Sequence, residues 1–66
     1  MVQESDSAAL VNAGRSWHRA KERERERMAA LYEVIREYCA NGGTESEAAR
    51  LADVDRMTVR RALGKL

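Results

Sequence analysis

The sequence predicts an all-α chain, a three-helix helix-turn-helix domain preceded by an extended N-terminal helical arm, and three observations predict it. Proline is absent, and the 4 glycines stand only at positions 14, 42, 43 and 64, where they punctuate long stretches of strong helix formers. Apolar residues recur at three- and four-residue steps, the period of one helix face. Helix-start signatures occur at Thr44 with Glu47 and again at Asp55.

The elements follow in order. Residues 1–6 read as a polar, frayed start. The segment SDSAALVNAG reads as a short helix capped by Asp6 or Ser7 and ended by Gly14; the alternative is that it runs on with Gly14 inside, at a cost of roughly 1 kcal/mol against alanine. From Ser16 to about Ala40 nothing interrupts a helix, and Asn41-Gly42-Gly43 is a left-handed stop. The two halves of this helix differ. Met28, Leu31, Val34, Ile35 and Tyr38 form an apolar face that needs a core. WHRAKERERER has almost no apolar face beyond Trp17 and Ala20. Residues 1–27 are therefore set apart as an arm, and residues 28–66 as the folded domain.

Within TESEAARLADVDRMTVRRALGKL, Thr44 and Glu47 form a capping box that opens a helix over Glu45 to Ala52. Asp53-Val54 make a turn, and Asp55 caps a last helix running from Arg56 towards Leu66. Two helices crossing steeply over so short a turn need a small residue at the contact, and Ala49 supplies it. Ala48, Ala52 and Val54 add apolar contacts. Val59, Ala62, Leu63 and Leu66 give the last helix one apolar stripe, which leaves Met57, Arg60, Arg61 and Gly64 on the opposite face.

Bulk properties bound the function. A chain of 66 residues holds one small domain with a thin core, which usually draws on a disulfide, a metal or a second subunit. Single Cys39 excludes an internal disulfide, and lone His18 with lone Cys39 cannot make a metal site of about four ligands. A second copy of the chain is the simplest remaining support. Nothing approaches a membrane span of ~20 apolar residues, and MVQESDS lacks the basic start and apolar run of a secretion signal. Cytoplasmic, nucleoid-associated placement is expected. There is no catalytic spacing of His, Cys, Asp or Ser, no glycine-rich phosphate loop, and no sign of a cofactor or small-molecule site. An enzyme is not expected.

Net charge is only +1 with 35% of residues charged, so distribution matters more than total. From Arg56 onward every charged side chain is basic: Arg56, Arg60, Arg61 and Lys65. The acids of this half, Glu45, Glu47, Asp53 and Asp55, stand at helix starts or in the turn, where they cap N–H groups and complement helix dipoles. A helix pinned by one side with arginines on the other suits the major groove of duplex DNA. Arg60 is the favoured reader of a base edge, most naturally guanine, while Arg61 and Lys65 are suited to phosphates.

The Thr44-x-x-Glu47 opening, the Ala48-Ala49 pair, the Asp55-Arg56-Met57-Thr58-Val59 entry and Arg60-Arg61 before Ala62-Leu63 resemble the helix-turn-helix of bacterial or phage DNA-binding proteins of the homeodomain-like kind. Fis-type and resolvase/invertase-type C-terminal domains are the nearest. The resemblance covers about a third of the chain. It implies that Arg56, Met57, Arg60 and Arg61 face bases or nearby phosphates, and that Thr44, Ser46 and Thr58 touch phosphates. The turn departs from the pattern at Asp53, where glycine is usual because the residue there takes a left-handed conformation. Aspartate tolerates that region at a modest cost.

The arm carries two further expectations. Arg15, Arg19, Arg23 and Arg27, four apart, form a drifting basic stripe with the length to follow a DNA backbone, although ordinary solvation accounts for it as well. Trp17, Met28, Leu31, Ile35 and Tyr38 serve the core or a dimer. Trp17, Leu31 and Tyr38 share a heptad position with Glu24, and Met28 and Ile35 share another with Lys21. The seam is broken in front, which disfavours a long parallel zipper and leaves an antiparallel or crossed pair. The functional expectation is sequence-specific binding of double-stranded DNA by a homodimeric transcriptional regulator or DNA-architecture factor, with residues 56–66 in the major groove. The alternative is a protein-interaction adaptor that docks on a polymerase, a recombinase or another DNA-bound protein.

Overall fold

The computed structural model describes the backbone over residues 4–66 and the side chains from residue 6 onward. Among these residues the chain is all-helical: α1 (Glu4–Ala40), α2 (Glu45–Ala52) and α3 (Arg56–Ala62). The expected polar start lies largely outside the described residues.

The first helix is a single element of 37 residues, about 55 Å long at the usual rise per residue. Gly14 sits inside it rather than ending it, so the short separate helix is not formed. Asp6 and Ser7, expected as caps, lie within α1 because it already begins at Glu4. The stop at Asn41-Gly42-Gly43 holds. Gly42 has φ +101°, and its N–H donates to the Cys39 carbonyl (3.2 Å) while that of Gly43 donates to the Tyr38 carbonyl (3.0 Å). This crossed pair satisfies carbonyls that a helix end leaves open. A β-carbon on Gly43 would overlap the Tyr38 ring, so the second glycine is required by packing.

The same closure ends the other two helices. Asp53 adopts φ 55° and ψ 48°, with Asp53 N–H donating to Arg50 (3.3 Å) and Val54 N–H to Ala49 (3.0 Å). The expected left-handed aspartate is thus present. In α3 the closure comes early: Gly64 has φ +73°, and the N–H groups of Gly64 and Lys65 donate to Arg61 (3.1 Å) and Arg60 (2.9 Å). The last helix is therefore 7 residues and does not reach Leu66, because Gly64 turns the chain back. Leu66 is exposed instead of extending the apolar stripe.

The core lies at one end of α1. Ile35, Ala48, Val59 and Ala62 are buried, with Leu31, Tyr32, Tyr38, Cys39, Ala49, Val54 and Leu63 packed around them. Each helix contributes to the buried group, and the small alanines at 48 and 62 let the helices approach. Arg36 adds a polar tie: its guanidinium donates to the Ala62 carbonyl at 3.2 Å, placing a cation at the negative end of α3. The rest of α1 projects. The radius of gyration is 18.4 Å and the extents are 60 × 20 × 16 Å, whereas a compact chain of this length has a radius near 11 Å.

Of the residues expected in core or dimer, Leu31, Ile35 and Tyr38 join the cluster. Trp17 is 56% exposed and Met28 is exposed. The Lys21 ammonium lies over the Trp17 ring, 5.0 Å from its centroid, and His18 meets the ring edge-on.

Candidate nucleic-acid interface

Burial of Val59 and Ala62 fixes the rotation of α3 about its axis. With those positions inward, the 100° step of a helix turns Arg56, Met57, Arg60 and Arg61 outward, and all four are exposed. The start of α3 is set by Asp55, whose Oδ1 accepts from Thr58 N–H at 2.7 Å and from the Thr58 hydroxyl at 2.6 Å. These bonds hold the Asp55 carboxyl below its ordinary range, with the nearby Arg61 adding to the effect. Thr58 has thereby committed its hydroxyl proton.

The start of α2 is set as the sequence predicts. Thr44 N–H donates to Glu47 Oε1 (2.9 Å) and Glu47 N–H to Thr44 Oγ1 (3.1 Å). The backbone and hydroxyl of Thr44 hold the Glu47 carboxyl low. The Thr44 hydroxyl oxygen accepts from the Glu47 N–H while the hydroxyl also favours the ionised Glu47 carboxylate. Ser46, in the first turn of α2, is exposed.

Glu45 links the two short helices. Its carboxylate accepts from Lys65 Nζ at 2.6 Å and lies 3.7 Å from Arg56 Nε. Lys65, Arg56 and Arg60 all favour its ionised form, with the Lys65 hydrogen bond foremost. The start of α2 and both ends of α3 are thus drawn into one patch: Arg56, Arg60 and Lys65 around Glu45, Met57 beside them, and Arg61 on the Asp55 side. Sequence reasoning missed Glu45 as the organiser. It also missed Arg36, which anchors α3 from α1. The signal for Glu45 was an acid at a helix start twenty residues from a terminal lysine, which names no partner without the fold.

The arm residues Arg15, Arg19, Arg23 and Arg27 are all exposed on α1 and are not part of this patch. Arg23 and Arg27 line a shallow depression with Ala20 and Glu24. Among the described residues no group of three or more His, Cys, Asp or Glu side chains is placed to hold a metal. No helix among them is long and apolar enough to cross a membrane. No protein-family model, curated protein or solved structure matches the chain.

Proposed function

We propose that this chain is a helix-turn-helix protein that binds double-stranded DNA sequence-specifically, with α3 entering the major groove, as a transcriptional regulator or DNA-architecture factor. The observation that carries the reading is the rotational setting of α3: Val59 and Ala62 are buried while Arg56, Met57, Arg60 and Arg61 are exposed, Arg56 beside Glu45. A guanidinium held outward on a fixed helix can make the paired hydrogen bonds that distinguish guanine in the major groove. Arg60, exposed on the outward face, is assigned to a base edge. Arg56 and Met57 flank it, the methionine suited to a thymine methyl.

Arg61 and Lys65 are assigned to phosphates, as are Thr44 and Ser46 at the start of α2. Thr58 is the weakest of the phosphate contacts, since its proton is given to Asp55. Glu45 lowers the net positive charge of the patch but holds Arg56 and Lys65 in place before DNA arrives, which reduces the ordering cost of binding.

Fluorescence anisotropy with labelled duplexes tests this directly. The logarithm of affinity is expected to fall linearly with the logarithm of salt, as counterions leave the phosphates. The triple substitution Arg56→Ala, Arg60→Ala, Arg61→Ala should abolish binding while leaving the helical circular dichroism unchanged. Affinity that is flat in salt, or undiminished in the triple variant, refutes the proposal.

A further inference from the structure

We infer that the projecting part of α1 is one half of an antiparallel helix pair formed with a second copy of this chain, in register so that Glu24 of each copy meets Arg27 of the other. No residue from 6 to 27 is buried, although Leu10, Trp17 and Met28 are large apolar groups in the open. Ile35, which shares a heptad position with Met28, is consumed by the chain's own core. That moves one of the two seam positions by one residue, giving Ala13, Trp17, Ala20, Glu24, Arg27, Leu31, Val34 and Tyr38 at alternating steps of four and three, with Leu31 and Tyr38 half-buried against the core and lining the groove beside it. Ala20, Glu24 and Arg27 line a common depression, which places them on one face.

This seam is self-complementary when reversed. Set Glu24 against the partner copy's Arg27 and every other layer follows: Ala20 faces Leu31, Trp17 faces Val34, and Ala13 faces Tyr38. Alanine opposes a large residue in two layers, two large apolar residues meet in the Trp17–Val34 layer, and the charges oppose with correct sign in the two central ones. A parallel pair would instead set Glu24 against Glu24 and Arg27 against Arg27. Charged residues in a seam weaken association in general, but they fix register and direction when only one arrangement pairs them. The Trp17 layer also has a seat. Val34 and Leu51, each 61% exposed, border an apolar groove between α1 and α2 of about 280 Å³, lined further by Leu31, Ile35, Tyr38, Ala48 and Ala52. Trp17 of the second copy, facing Val34, covers this groove, and the interface is isologous, as closed dimers require.

The inference rests on the face of α1 and not on the DNA assignment. It has a geometric consequence for that assignment. The two-fold axis falls between residues 24 and 27, so the two copies of Ile35, which mark the folded ends, lie roughly 28 Å apart along the helix axis. That is the scale of the ~34 Å between successive major-groove faces on one side of a duplex.

Sedimentation equilibrium on the full chain without DNA is the test. The expected mass is twice the 7.5 kDa of one chain. Trp17→Ala, Glu24→Arg and Arg27→Glu should each raise the dissociation constant about tenfold or more with unchanged circular dichroism. An equimolar mixture of Glu24→Arg and Arg27→Glu chains should recover the wild-type mass, since opposite charges then meet in both central layers. Direction is read by oxidising a mixture of Glu24→Cys and Arg27→Cys chains, each also carrying Cys39→Ser: the mixed 24–27 disulfide is expected. A monomer up to millimolar concentration, charge variants that associate like the wild type, or crosslinks between like positions would overturn the inference. Each of these outcomes is independent of whether the protein binds DNA.

Discussion

Three carboxylates set the geometry of the α2–α3 unit, and in each the contacts favour the ionised form. Asp55 accepts two hydrogen bonds from Thr58, Glu47 closes the box with Thr44, and Glu45 receives Lys65. All three are held below their ordinary values of 3.8 for Asp and 4.5 for Glu, Asp55 and Glu47 chiefly by hydrogen bonds from Thr58 and Thr44, Glu45 chiefly by that from Lys65. A carboxyl whose folded pKa is depressed contributes stability above its unfolded pKa and loses it as pH falls through the folded value. Thermal unfolding should therefore be insensitive to pH near neutrality and shift to lower temperature below about pH 4. Asp55→Asn, which keeps an acceptor for the Thr58 N–H but cannot ionise, should flatten that acid-side decline. A wild-type midpoint that stays constant down to pH 2 would show that these caps do not contribute as described.

The ends of elements show how far sequence reasoning reaches. The bounds of α2, the cap at Asp55 and the left-handed Asp53 were legible because each depends on a few adjacent residues whose chemistry allows one local arrangement. Gly14 and Gly64 were not legible, because glycine both ends helices and is tolerated inside them. At Gly64 the N–H groups of Gly64 and Lys65 find open carbonyls at Arg61 and Arg60, and the helix stops. At Gly14 the flanking alanines and arginines carry α1 through. Nothing lies within 4 Å of a β-carbon placed there, so Gly14→Ala should strengthen the arm by about 1 kcal/mol. Slower amide hydrogen exchange over residues 8–20 would register the gain, and unchanged exchange would contradict a continuous α1. The outward face of α3 was read correctly from the spacing of Val59, Ala62, Arg60 and Arg61. The contacts Arg36 to Ala62 and Glu45 to Lys65 join residues far apart in sequence, and only the packed helices define them.

At the scale of the whole molecule, a rod 60 Å long carries a small folded end. Among the described residues only Ile35, Ala48, Val59 and Ala62 are buried hydrophobics, so the folded end is a thin core whose main product is orientation: it fixes which side of α3 faces outward. The long helix projects from that end. Selection of bound sequences from a random duplex library, with wild type, Arg60→Ala and Lys65→Ala compared, tests the orientation of α3 most directly. The account predicts an enriched motif for the wild type, loss of preference at one base pair for Arg60→Ala, and for Lys65→Ala the same motif with uniformly weaker binding. No enrichment by the wild type, or an identical motif and affinity for Arg60→Ala, would contradict it.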